Sequence, residues 1–170
     1  MTDTRQSIVD CIRSEPGIHF NALVRRLDLA PGQVQYHLRI ILNDDDLLRE
    51  HLYGKTHYYP SSVAAWERRA LALLRRETAA EIVSYLLEYG RTDPATVADE
   101  LDIARSTLEW HLSRLTEQEL VTKEWDGQHR VTLTVERPTE LVRLLREVDP
   151  TLFERMVDRF TRLVDDLLEE

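Results

Sequence analysis

The sequence predicts a mainly α-helical chain with small β-hairpins: one small domain present twice, followed by C-terminal helices. Three observations predict it. The chain matches itself at a fixed shift of 74 residues, helical apolar spacing breaks at equivalent places in both copies, and a β-rich, turn-punctuated segment closes each copy. At that shift, without gaps, Ile8, Val9, Leu27, Asp28, Ala30, His37, Leu38 and Glu50 meet Ile82, Val83, Leu101, Asp102, Ala104, His111, Leu112 and Glu124. Conservative pairs fill the intervals, among them Ile12 with Leu86, Val34 with Leu108 and Tyr36 with Trp110. Solenoid repeats have periods of roughly 20–50 residues, so a shift of 74 indicates a duplicated domain.

Each copy has the same order of elements. Ile8, Val9 and Ile12 have helical spacing over residues 4–14, and Pro16-Gly17 ends that helix. A second helix is expected over residues 20–27, with Leu23, Val24 and Leu27 on one side. Its counterpart opens with Asp93-Pro94, an N-cap followed by proline at the first helical position. A short turn over residues 28–30 leads to a third helix at Pro31 that buries Val34, Leu38, Ile41 and Leu42. Two β-rich runs follow, residues 48–53 and 56–59, joined at Gly54-Lys55. In the second copy they are residues 121–125 and 130–135, joined around Asp126-Gly127, a hairpin signal.

Helix, helix, tight turn, helix and hairpin make a winged helix-turn-helix, so the fold class is mainly α with small β-hairpin wings. The expected organisation is a first winged helix-turn-helix domain over 1–60, a helical connector over 61–77, a second domain over 78–137, and C-terminal helices over 138–170. The connector stripe is Trp66, Ala70, Leu73 and Leu74. In the tail, Leu141, Leu144, Leu145 and Val148 form one face before Asp149-Pro150 breaks the helix. The last segment sets Phe153, Met156, Phe160, Leu163 and Leu167 near heptad spacing, with Val157, Val164 and Leu168 widening the stripe. Phe153, Met156, Val157, Phe160, Leu163, Val164 and Leu167 are therefore the expected homodimer interface; packing onto the second domain is the other use of that stripe.

The third-helix strings PGQVQYHLRIIL and RSTLEWHLSRL resemble the recognition helices of the arsenical-repressor-like (ArsR) and MarR-like superfamilies. The chain resembles archaeal, specifically haloarchaeal, transcriptional regulators with two winged helix-turn-helix domains in tandem. The resemblance covers residues 5–60 and 79–136, and implies a DNA-binding transcription regulator.

Composition bounds the rest. Thirty-one acids against twenty-two bases give a net charge of −9, and arginine outnumbers lysine by twenty to two. An acid-rich, lysine-poor chain is the pattern of a halophilic protein, whose carboxylates stay hydrated in concentrated salt. In such a chain overall acidity is a weak argument against nucleic acid as partner. The longest apolar run is five residues, 70–74, so no segment spans a bilayer. The start MTDTRQ lacks a basic stretch followed by a hydrophobic one, so a cytoplasmic protein is expected. With Cys11 as the single cysteine there is no intramolecular disulfide and no multi-cysteine metal site.

Base-contacting side chains lie off the core stripe of a recognition helix. In the first copy these are Gln33, Gln35, Tyr36 and Arg39, with Arg25 and Arg26 on the preceding helix as phosphate contacts and Lys55 and Thr56 at the wing tip, where a wing meets phosphates or the minor groove. The second copy offers Arg105, Ser106, Thr107, Trp110 and Arg114, plus Lys123 and Arg130 in its hairpin. It also puts Asp99 and Glu100 where the first has Arg25 and Arg26, and Glu109 where the first has Gln35. Residues 1–60 carry seven bases to eight acids, whereas residues 78–137 carry six to twelve. The first copy is the expected main reader of DNA.

Other clusters point to no chemistry. His37 and His111 are paired across the repeat, but His19, His51, His57 and His129 follow no ligand spacing, so no metal and no cofactor are expected. Cys11 is read as a core residue. Asp44-Asp45-Asp46 is read as a solvated loop rather than a Mg²⁺ site. No phosphate-binding glycine loop, nucleophile elbow or zinc-protease motif is present, so an enzyme is not expected. The leading reading is a sequence-specific regulator acting as a dimer on double-stranded DNA. The alternative is a tandem winged-helix interaction module bridging protein subunits of a transcription or replication assembly, since fold alone does not choose between them.

Overall fold

The computed structural model describes residues 2–44 and 46–169. Asp45, the middle of the acidic triplet, lies outside the described residues. The chain forms two compact units, Met1–Ala72 and Leu73–Glu170.

In the first unit, α1 (Thr2–Ser14), α2 (Phe20–Leu27) and α3 (Pro31–Ile41) pack on one another, and β2 (Leu47–Leu52) and β3 (Lys55–Pro60) form the wing. Helical spacing is legible because one stripe is buried: Ile8, Ile12, Leu23, Val34, Leu38 and Ile41 share a core with Ile18, Leu47 and Tyr58. Cys11 belongs to that core, as its apolar context indicated. α2 is capped by His19, whose Nδ1 accepts from the Ala22 amide at 3.3 Å, and it ends at Asp28 in the left-handed conformation, φ 51°. Asp102 has φ 52° in the second unit. The two aspartates matched by the repeat thus stand where the chain leaves a helix through a region Asp tolerates. The wing turns at Tyr53 and Gly54, both at positive φ, a two-residue turn suited to the strand twist.

The sequence reading had no β1 (Ile18–His19), which adds to the wing to give the order β1-β3-β2. Two residues are too few to show an alternation. The counterpart in the second unit is the single bridge between Thr92 and Leu133. The connector also differs from a continuous helix over residues 61–76. α4 spans Ala65–Leu74, and Arg76 is extended (φ −94°, ψ 119°) as the N-cap of α5 (Glu77–Tyr89). The start of α4 is held on the wing: Tyr59 Oη donates to the Arg68 carbonyl at 2.7 Å, and Arg68 Nε donates to Glu50 Oε2 at 2.7 Å.

The second unit repeats the plan with α5, α6 (Pro94–Glu100), α7 (Arg105–Glu117) and a hairpin of β4 (Val121–Trp125) and β5 (Val131–Val135). Asp93 caps α6, accepting from the Thr96 amide at 2.9 Å and the Thr96 hydroxyl at 2.6 Å. Those bonds favour the carboxylate and hold Asp93 below the usual range. α8 (Pro138–Val148) buries Leu141, Leu144 and Leu145, and α9 (Pro150–Leu168) packs on α8 and α5. Leu152 and Met156 of α9 are buried, whereas Val157, Phe160, Leu163, Leu167 and Leu168 are exposed. Packing onto the second domain, one of the two uses foreseen for this stripe, therefore occurs over the start of the helix and takes in Met156, which was expected at a dimer interface. Its first turns belong to the core of the unit, and its later turns present apolar surface. No helix among the described residues is long and apolar enough to cross a membrane.

Candidate nucleic-acid interface

α3 turns Val34, His37, Leu38 and Ile41 inward, and this fixes what faces out: Gln33, Gln35, Tyr36 and Arg39 are all exposed. His37 is a packing residue, 3% exposed, with Nδ1 accepting from Arg5 Nε at 3.3 Å. Its neighbour Tyr36 is half exposed.

Between α3 and the wing runs a groove of about 650 Å³, lined by Phe20, Asn21, Gln35, Leu38, Arg39, Arg49, His51, Gly54, Lys55, Thr56 and Tyr58. Three of these are permanent cations and none is an acid. In a chain of net charge −9 that segregation concentrates positive potential on one concave surface. Gln35, Arg39, Lys55 and Thr56 were expected here; Arg49 and His51 were not. Their signal is the strand period: Arg49 and His51 are two apart on β2, and they stand opposite Tyr58 and Thr56 in the hairpin register. His51 Nδ1 lies 3.3 Å from Thr56 Oγ1. Burial pushes the Tyr58 hydroxyl above the usual phenol range, with Arg49 partly offsetting it. The two arginines of α2 part company. Arg25 is exposed and free of acids, while Arg26 Nη1 pairs with Glu15 at 3.0 Å. Neither lines the groove.

The second unit presents the same outward positions with their charge consumed internally. Arg105, Ser106, Thr107 and Trp110 are exposed, and Arg114 is half-buried. Glu109 sits between Lys123 Nζ at 2.7 Å and Arg105 Nε at 3.7 Å. Arg130 Nε pairs with Asp126 at 2.8 Å across the hairpin turn, and the Arg114 guanidinium lies 3.5 Å over the Trp110 ring. Hydrogen bonds from the Arg130 and Gln128 amides keep Asp126 well ionised. Each cation named for this copy therefore already has a carboxylate or an aromatic face. His111 is less buried than His37; desolvation first, then Arg114 and Arg76, depress its basicity. Among the described residues no group of three or more His, Cys, Asp or Glu side chains is arranged to hold a metal.

Residues 2–71 match the HTH_HVO_0163_N family, an N-terminal HTH domain, and residues 76–123 match the bacterial regulatory protein family arsR. A relative from Methanocaldococcus jannaschii, an uncharacterized HTH-type transcriptional regulator, is 29% identical over 137 residues. The match covers 77% of this chain and 33% of that protein, so this chain spans about a third of its relative's length. Among solved structures, an apo-form mutant of Lactococcus lactis ZitR is similar at 21% identity, covering 53% of this chain and 67% of that one, with a TM-score of 0.38. Disulfide-formed AbfR is similar at 13% identity, covering 62% and 83%, also with a TM-score of 0.38.

Proposed function

The chain is a tandem winged helix-turn-helix protein, and from that premise we propose that it is a DNA-binding transcription regulator whose first unit is the main reader of sequence. The observation that carries this reading is the acid-free groove between α3 and the wing, with Arg39, Arg49 and Lys55 on its walls and Gln35 beside them. Gln and Arg side chains discriminate adenine and guanine edges in the major groove, and the wing cations bond phosphates. In the second unit Arg105 and Lys123 pair with Glu109 and Arg130 with Asp126, so these three cations are already engaged. Trp110 and Trp125 are exposed there, 52% and 66%. That favours protein contact as the role of this unit, a local form of the interaction-module alternative.

The protein acts as a homodimer in the cytoplasm of a halophile. Support for the dimer is the apolar run Phe160, Leu163 and Leu167 on α9, exposed at 3- and 4-residue spacing beyond the part of the helix its own unit buries. A second copy offering the same stripe would cover it, and paired recognition helices would then read two half-sites. Genome-wide mapping of bound DNA by crosslinking and sequencing tests the reading. A sharp palindromic motif is expected; diffuse, promoter-wide occupancy overturns it in favour of the assembly module.

A further inference from the structure

The duplication reveals a second site by what changes between the copies. In the first unit, Glu15 and Arg26 close the space between α1 and α2 with their 3.0 Å ion pair. Seventy-four residues on, those positions hold Tyr89 and Glu100, which cannot pair as opposite charges. A pocket of about 330 Å³ lies there, lined by both. Its remaining wall is α9, an element without a counterpart in the first unit, which contributes Leu152, Arg155 and Arg159.

Ser84 also lines this pocket. It is 1% exposed, and its Oγ has no hydrogen-bond partner. Its counterpart is Asp10, which is exposed. A helical serine usually returns its proton to a carbonyl one turn back, and a buried hydroxyl left unpaired is costly enough to need an explanation. A ligand in the pocket would supply the missing partner.

The charges select the kind of ligand. Arg159 is committed to Glu88, with Nε 3.1 Å from both carboxylate oxygens and Nη2 at 2.9 Å. Arg155, one turn earlier on the lining face, has no ion pair, and Glu81 and Glu100 stand on the same pocket. A plain anion would meet two carboxylates, and a plain cation would leave Arg155 unanswered. Leu101 and Leu152 provide an apolar floor, and the Tyr85 and Tyr89 rings, 4.5 Å apart, an aromatic side. We propose that this pocket binds a small zwitterion of the α-amino-acid type with an apolar side chain. Its carboxylate would rest on Arg155 and its ammonium among Glu81, Glu100 and the tyrosine rings. Its side chain would lie on Leu101 and Leu152. Such a ligand would tie α6, the first helix of the helix-turn-helix pair, to α9.

Calorimetric titration of the full chain at constant KCl tests this, with L-phenylalanine as probe. 3-Phenylpropionate, which lacks the ammonium, and phenethylamine, which lacks the carboxylate, are the comparisons. L-Phenylalanine should bind, and each analogue should be weaker by about tenfold or more, since each loses a charge-assisted contact. Arg155→Ala should abolish that preference over phenethylamine, and Ser84→Val, which fills the pocket, should abolish binding altogether. Arg155 is exposed, so its variant remains a fair test if Ser84→Val does not fold. The proposal is overturned if L-phenylalanine gives no binding up to about 10 mM, a limit corresponding to very weak affinity. It is equally overturned if all three compounds bind alike, or if Arg155→Ala leaves the affinity unchanged. The titration contains no DNA, so its failure leaves the regulator reading standing.

Discussion

Arg39→Ala is the perturbation that most directly examines the division of labour between the two units. Arg39 projects from α3 into the groove and has no carboxylate partner, so its full charge is available to a phosphate or a guanine edge. A hydrogen bond to a charged group contributes about 1.5–3 kcal/mol, which corresponds to a loss of about 10- to 150-fold in affinity. Arg105 on α7 is a fair control. It stands 3.7 Å from Glu109, and an exposed pair of this kind is worth only about 0.2–1 kcal/mol. Glu109 keeps its 2.7 Å pair with Lys123 when Arg105 is removed, so Arg105→Ala should change affinity by no more than about fivefold. Both positions are surface sites, and both variants should keep stability within about 0.5 kcal/mol. The assay is fluorescence anisotropy on a duplex enriched from a random library by the wild-type protein, with thermal melting in parallel. If Arg105→Ala is the more damaged variant, the first unit is not the reader. If neither loses affinity, the protein does not read DNA through these helices. Charge reversal on α2 is cleanest as Arg25→Glu, because Arg26→Glu would set a second carboxylate against Glu15 and lower the melting temperature through that contact.

The tail allows a separation of folding from assembly: Phe160→Glu, Leu163→Glu and Leu167→Glu together should give a folded monomer by light scattering at micromolar protein and high salt. A wild-type monomer, or a triple variant that stays dimeric, refutes the interface. Truncation after Asp149, by contrast, removes buried Leu152 and Met156 and the Arg159–Glu88 pair. It should cost several kcal/mol, since deleting one buried Leu or Met side chain costs roughly 2–5 kcal/mol. DNA affinity should depend weakly on KCl or even rise with it, because the carboxylates outside the acid-free groove, in a chain of net charge −9, take up cations on binding and oppose counterion release; an ordinary loss on the order of 10³ between 50 and 200 mM salt counts against this. His111 titrates below its usual value in the folded chain, so the unfolded chain takes up its proton first. Stability of the second unit should be undiminished above about pH 6.5, the unperturbed value. It should fall as pH drops from there through the folded pKa, and His111→Gln should remove that part of the pH dependence in thermal melts.

The order of elements, the duplication and the outward face of α3 were legible in the sequence because each depends on residues three or four apart. Val34, Leu38 and Ile41 mark a buried stripe, and whatever lies off it must face solvent. The paired aspartates and Gly54 mark the chain reversals for an equally local reason, since each position sits at positive φ. Other features were settled by distances the linear order does not contain. Lys123 and Glu109 are 14 residues apart, and only the packing of β4 on α7 brings them to 2.7 Å, so a cation counted as a DNA contact is engaged within its own domain. Arg49 and His51 reach the groove because β2 pairs with β3 in one register, which turns that strand face toward α3. Leu152 and Met156 fall within the same apolar stripe as Phe160 and Leu163. They are core because α9 crosses α5 and α8 over its first turns and runs past them afterward. Local periodicity states which face of an element is apolar; only the packed structure decides what that face meets, because burial is a property of neighbours rather than of spacing.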